Sequence, residues 1–447
     1  MVLSTLILAA GQGTRMRSNL PKVLHPIAGK AMIRYTLELA QALGSEPPVI
    51  VIGHGAEGVQ KEVGDLAQFA IQEQQLGTAH AVMAAEGILG AKPGLILVLN
   101  ADIPLLRLET LKNLVTSQEN NPGPLALLTV KTDSARGFGR IVRSAHGYVT
   151  RIVEEAQATP EELAIKELNV GAYCIRSEWL WQALKRIQVS PKGEYYLTDL
   201  VALAVEDGLP VAAHLLADPS EAMGINNRVH LAEAEEVMRQ RINTGWMIAG
   251  VTFLDPEHVY IEASVQIGRD TVIMPNTYLR GNTVIGEGCM IGPNTIITDT
   301  QIGNYCEVLA SVLDGAVLED DVDIGPFARL RKGAYLCKGV HMGNFGEVKS
   351  STLGAGTKMG HFSYIGDATI GENVNIGAGT ITCNYDGVRK HKTRIGDGAF
   401  IGSDTMLVAP VEIGTNSRTG AGSVVTHDVP PGETVVGVPA RIFKKKE

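Results

Sequence analysis

Three places in this 447-residue chain combine residue types that can handle charged groups. The first is Leu8-Ala9-Ala10-Gly11-Gln12-Gly13-Thr14-Arg15-Met16, which closes a short apolar run. Glycines after a first strand let backbone N–H groups approach a phosphate. Arg15 can fork onto phosphate oxygens, and Lys22 can offset charge developing at a phosphate under attack. Arg17 reads as a surface cation. Two generic loops compete. A dinucleotide fingerprint needs Gly or Ala where Met16 stands and an acidic residue closing the second strand, yet Gly53 follows Ile52. A Walker loop needs Gly-Lys-Ser/Thr, which the chain lacks. The second place is Asn100-Ala101-Asp102. A carboxylate beyond a buried strand suits Mg²⁺, which takes oxygen ligands and leaves room for phosphates; a helix-capping Asp is the plainer alternative. The third is His361, after Met359-Gly360. An imidazole there can take a proton from an attacking amine, although a lone His on a coil is as readily a surface residue.

Elements of two kinds must position these groups. Up to residue 226, strand-like runs (Thr5–Ala9, Val49–Ile52, Leu95–Leu99) alternate with helical spacing (Met32–Leu43, Ala79–Leu89). That pattern argues an α/β domain with a mostly parallel sheet covered on both faces. From Asn227 to about Gly245 apolar residues recur helically, which predicts a linking helix over 227–247, with Gly245 and Gly250 marking its end. The rest, 248–447, carries an aliphatic residue about every six residues, often followed by Gly: Ile267-Gly268, Ile273, Leu279, Ile285-Gly286, Ile291-Gly292, Ile297 and on to Val425. A period of six fits no helix and marks a parallel β-helix, the Gly supplying positive φ or a tight fit. One insertion, Cys383 to Lys392, interrupts the beat, and such insertions map to loops on a binding face.

The totals narrow the class. A net charge of -9 argues against wholesale nucleic-acid binding. The chain shows no apolar run of about 18 residues, so no membrane span is expected; Leu6–Ala10 reads as a buried strand. Five scattered cysteines without metal-ligand spacing suit a reducing cytoplasm. Lys444–Lys446 reads as a solvated tail.

The run Leu8–His25, with Gly11-x-Gly13-Thr14-Arg15-Met16 and Leu20-Pro21-Lys22-Val23-Leu24-His25, resembles the sugar-nucleotide pyrophosphorylases. Gln12 departs from that family, which commonly has Lys there. The hexads resemble the hexapeptide acyltransferases, implying a left-handed β-helix and a homotrimer with sites between subunits. Both halves together, through Gly360-His361-x-x-Tyr364, Asn373–Thr380 and Cys383-Asn384-Tyr385-Asp386-Gly387, resemble the bifunctional N-acetylglucosamine-1-phosphate uridyltransferases/glucosamine-1-phosphate acetyltransferases.

That resemblance implies a Rossmann-like nucleotidyltransferase domain that joins N-acetylglucosamine-1-phosphate to UTP, and a β-helix that acetylates glucosamine-1-phosphate with acetyl-coenzyme A. It implies Mg²⁺ on Asp102 and Asn226, with Asn227 adjacent. Leu8, Ala9, Ala10, Gly11, Arg15 and Lys22 meet the nucleotide. Gln72, Gly77 and Thr78 resemble its base-recognition segment, where a Gln amide can offer one donor and one acceptor; Thr78 also reads as a helix cap. Gly139, Glu154 and Asn169 meet the sugar, though each singly is as readily a turn or cap. In Gly193–Asp199, helix capping by Thr198 or Asp199 explains most of the likeness. In the β-helix, Arg331 and Lys349 hold the sugar phosphate, Tyr364 and Asn375 the sugar, and His361 is the base. Ala378, Asn384, Tyr385, Ser403 and Ala421 line the acetyl-coenzyme A path, with Arg441 standing for a late basic contact. Two other readings remain: a single-activity sugar-1-phosphate nucleotidyltransferase whose β-helix only assembles or regulates, and a non-enzymatic scaffold.

Overall fold

A computed structural model describes residues 2–44, 46–135 and 137–443. The tail lysines Lys444–Lys446 lie outside the described residues. The chain divides into two compact units, Met1–Met238 and Arg239–Glu447.

The first unit is built on a nine-stranded sheet. Its strands are β1 (Leu3–Leu8), β2 (Val49–Ile52), β3 (Gln68–Ile71), β4 (Leu95–Asn100), β5 (Leu125–Lys131), β6 (Arg140–Arg143), β7 (Val149–Val153), β8 (Glu167–Arg176) and β9 (Val211–Leu215). The order is β9-β5-β8-β4-β1-β2-β3, with β6 and β7 attached beside β8. Strands β4, β1, β2 and β3 run parallel, as do β9 and β5, whereas β8 is antiparallel to β4 and β5. Alternate residues face opposite sides. Leu6, Val98 and Leu127 enter one core, while Ile7, Leu97 and Leu128 enter the cores on the other face. Burial on both faces accounts for the almost wholly apolar Leu95–Leu99.

Leu8 pairs with both Val51 and Asn100. The carboxyl ends of β1, β2 and β4 therefore lie side by side, and Gln72 follows β3 with its N–H donating to Ile52 O at 2.8 Å. Helix Met32–Ala42 forms as its spacing predicts. The stretch read as one helix over 79–89 is two, Thr78–Met83 and Glu86–Leu89, broken at Ala84–Ala85; Gly87 weakens the continuation. The linking helix spans Arg228–Ile248. Gly245 lies inside it, and the left-handed break falls at Gly250, with φ 99°.

The second unit is a three-faced parallel β-helix, the architecture of the left-handed hexapeptide fold. Each hexad supplies one short strand and one corner. On the first face Ile273, Ile291, Val308, Ile324, Met342 and Met359 stack in register. The second face stacks Leu279, Ile297, Leu313, Leu330, Val348 and Ile365. The third stacks Ile267, Ile285, Ile302, Leu318, Leu336 and Leu353. All join one buried core, so each coil depends on its neighbours. The glycine after the aliphatic residue mostly serves tight fit: a Cβ on Gly343 would come 2.6 Å from the Gly360 carbonyl carbon of the next coil.

Candidate functional sites

In the first unit a cleft of about 650 Å³ opens at the carboxyl ends of the parallel strands. Leu8 to Arg15, Lys22, Gln72, Gly77, Thr78, Asp102 and Asn226 all line it. The sheet explains the convergence. Ala101 N–H donates to Leu8 O at 3.1 Å, tying the glycine loop to the segment of Asp102. Ile225 N–H donates to Asp102 O at 2.9 Å, bringing Asn226 alongside.

Lys22 Nζ meets Asp102 Oδ2 at 2.5 Å and Asn226 Oδ1 at 3.3 Å. Arg15 Nη2 donates to the same Asn226 oxygen at 2.9 Å. Two oxygens thus converge on a cationic centre, with a second cation beside it. Asn227 does different work: its Oδ1 accepts from His230 N–H at 2.9 Å and caps the linking helix. Gln12 and Arg17 are exposed.

Three expectations change, and Gly139, Glu154 and Asn169 are not among the residues that line the cleft. Thr78 does not cap its helix, whose N-cap Gly77 has no side-chain bond; the Thr78 hydroxyl accepts from Leu197 N–H at 3.0 Å. Gln72 does not offer a donor to the cleft: its amide nitrogen faces Gly77 O at 3.1 Å and His80 Nδ1 at 3.0 Å. Thr198 does not cap by its side chain either; its hydroxyl donates to Glu154 Oε1 at 2.9 Å. Burial raises the Glu154 pKa, against the pull of that bond, and burial raises Asp199 as well.

Asn169 is buried, its amide donating to Tyr173 Oη at 2.7 Å and accepting from Gly171 N–H at 3.1 Å. Its N–H donates to Gly139 O at 2.8 Å. The pairing of β8 with β5 shifts register between Asn169 and Tyr173. Gln75, Glu194 and Tyr196 also line the cleft. Glu194 and Tyr196 fall within Gly193–Asp199, whereas nothing in the linear sequence marks Gln75; only the fold brings the three to the cleft.

In the second unit the expected residues fall into two groups on the edges of the second face. The edge between first and second faces carries His361, Ala378, Ser403 and Ala421 at the same corner of successive coils. Gly379 N–H donates to Phe362 O, Asp404 N–H to Ala378 O (both 2.6 Å), and Gly422 N–H to Ser403 O at 2.8 Å. His361 is exposed and its ring makes no hydrogen bond among the described residues.

The other edge carries Arg331, Lys349, Asn384 and Tyr385. Asn384 is buried, donating to Asp367 Oδ2 at 2.5 Å. Tyr364 lies on the face between, and a Cβ on Gly366 would meet its ring at 2.7 Å and the Asn384 amide at 2.8 Å. Arg331 pairs with Glu347 at 2.9 Å. Lys349 has a lowered pKa, first through contact with Lys390 and its charge, then through Arg331. Lys390, in the insertion, is not among the residues the sequence singles out, yet its ammonium lies against that of Lys349. That insertion is a turn closed by Asp386, which accepts from Val388 and Arg389 N–H at 2.7 Å and pairs with His391 at 2.6 Å. These bonds hold the Asp386 carboxyl well below its ordinary range. Asn375 lies on the first face, paired with Lys358 and Phe400. Arg441 is in a terminal antiparallel strand and donates to Ala440 O at 2.9 Å. One chain therefore does not gather all these groups.

A nucleotidyl transferase family model matches residues 4–247. A bacterial transferase hexapeptide model matches 264–299 and 392–427. The chain is 48% identical over 434 residues to the bifunctional protein GlmU of Heliobacterium modesticaldum, covering 97% of this chain and 95% of that one. It is 47% identical over 426 residues to the protein of the same name from Halalkalibacterium halodurans (95% and 94% covered), and 47% over 445 residues to that of Trichlorobacter lovleyi (99% and 97%).

Proposed function

The chain belongs to the family of bifunctional GlmU proteins, and from that premise we propose how its two units divide the work. The second unit acetylates glucosamine-1-phosphate with acetyl-coenzyme A. The first joins the resulting N-acetylglucosamine-1-phosphate to UTP, releasing pyrophosphate and UDP-N-acetylglucosamine. The observation that carries this reading is the pairing of the Arg15–Lys22–Asp102–Asn226 cluster in one unit with the His361 and Lys349–Lys390 groups in the other.

In the first unit a sugar-phosphate oxygen attacks the α-phosphorus of UTP; that P–O bond forms as the α–β bridging bond breaks. Arg15 and Lys22 hold the triphosphate and offset the charge developing in flight. Asp102 and Asn226 would hold Mg²⁺: their oxygens already converge on the Lys22 ammonium, a donor set of the kind that ion takes. When bound, the ion supplies further neutralisation of phosphate charge. Glu154 and Asn169 meet the sugar, and Gln72 the base.

In the second unit His361 takes the proton from the 2-amino group as its nitrogen attacks the thioester carbonyl. The C–S bond then breaks and coenzyme A leaves as the thiol. Lys349, Lys390 and Arg331 hold the sugar phosphate, which relieves their mutual repulsion. Because His361 and Asn384 lie on different edges of one chain, we place the complete site between subunits of a homotrimer. Tyr364, Asn375, Ala378, Tyr385, Ser403, Ala421 and Arg441 complete the sugar and coenzyme paths. No helix among the described residues is long and apolar enough to cross a membrane, and five unpaired cysteines suit a cytoplasmic enzyme.

The test is a one-pot assay. Purified chain given glucosamine-1-phosphate, acetyl-coenzyme A and UTP should yield UDP-N-acetylglucosamine, thiol and pyrophosphate. Thiol without pyrophosphate, or neither, would refute the assignment.

A further inference from the structure

Gln72 is 4% exposed and forms part of the cleft wall. Its amide nitrogen lies 3.1 Å from Gly77 O and 3.0 Å from His80 Nδ1. A carbonyl can only accept, so an amide N–H must face Gly77. The second N–H must then face His80, whose Nδ1 therefore carries the lone pair and whose proton sits on Nε2. Both donors of the amide are spent. No donor among the described residues reaches Oε1, and that oxygen is not among the buried atoms left without a partner. It is open to the cleft.

The groups around His80 are tied together by a ring stack and backbone hydrogen bonds. His80 sits on helix Thr78–Met83 and stacks on Tyr195, ring centroids 6.3 Å apart. Tyr195 N–H donates to Leu76 O at 2.8 Å and its carbonyl accepts from Ala79 N–H at 3.0 Å.

We propose that His80 is a specificity-determining positioning residue: with Gly77 O it holds the Gln72 amide so that only an acceptor faces the base, selecting a nucleobase whose ring nitrogen carries hydrogen. Uracil offers its N3–H to that oxygen. Cytosine presents a lone pair at the same place, so two acceptors would meet and neither would be satisfied. The inference rests on the reading that Gln72 meets the base, and it assigns to His80 the discrimination between UTP and CTP. His80 itself is not among the residues that line the cleft.

The experiment measures kcat/KM for UTP and for CTP in the full chain and three variants. His80→Leu removes the acceptor and frees one amide N–H, so the UTP:CTP ratio should fall about tenfold, the worth of one mispaired hydrogen bond. His80→Asn, whose Oδ1 can stand in for Nδ1, should keep most of the ratio. An unchanged ratio in His80→Leu, equal losses for both nucleotides, or an Asn variant no better than Leu would overturn the inference. Gln72→Ala separates the two levels: if its ratio matches the native one, Gln72 does not read the base. If it collapses the ratio while His80→Leu does not, only the role of His80 fails.

Discussion

Replacing Gly77 by Ala should cripple the first unit and leave the second intact. Gly77 has φ 103° and ψ 177°, a region that is essentially glycine-only and costs other residues about 1–3 kcal/mol. An added Cβ would also lie 2.5 Å from Tyr195 O and 2.8 Å from Tyr195 N. Both are backbone atoms that also bond Leu76 and Ala79, so relief requires parting segments 76–79 and 195–197. Strain and separation together should cost about 3 kcal/mol, which lowers the melting temperature of a unit of this size by about 6–12 °C. The displaced Gly77 carbonyl would also stop orienting the Gln72 amide, so kcat/KM for UTP should fall. Differential scanning calorimetry and a pyrophosphate-release assay read the two effects, with thiol release as the internal control. An unshifted first-unit transition with native kcat/KM would refute the reasoning.

Three further outcomes follow from the β-helix. Lys390 lowers the pKa of Lys349, so Lys390→Ala should raise KM for glucosamine-1-phosphate near neutrality, where one cation is lost. Lys349 would then hold its proton to higher pH, and the alkaline fall in affinity should move upward; an unmoved alkaline limb in a KM–pH profile would count against the cluster. Leu330 is fully buried in the stacked column, and Leu330→Ala should cost about 2–5 kcal/mol, read as an earlier second-unit transition on chemical denaturation. Co-expressing His361→Ala with Asn384→Ala chains should restore part of the acetyl transfer that each lacks alone; no recovery would place the site within one chain.

The β-helix was legible because burial imposes it: each aliphatic residue of the beat, Ile291 or Leu330 for example, is an inward position. The glycine loop and Asp102 were legible because strand ends set where ligands bind. Side-chain partners were less so. Thr78 and Thr198 look like caps in a linear chain, but their hydroxyls are taken by Leu197 and Glu154, brought close only by folding. Asn226 and Asn227 are indistinguishable by type, and the start of the linking helix decides which faces the cleft. By residue type the Gln72 amide is both donor and acceptor, and only the fold brings His80 to claim one of its N–H groups. The separation of His361 from Asn384 follows from counting corners, which an insertion of ten residues from Cys383 to Lys392 obscures.

The central claim is that two units hold two independent catalytic centres. Both activities should be measured on Asp102→Ala and on His361→Ala. Asp102→Ala should lose pyrophosphate release and keep thiol release from acetyl-coenzyme A, and His361→Ala should do the reverse. If each variant lost both activities, the claim would be contradicted.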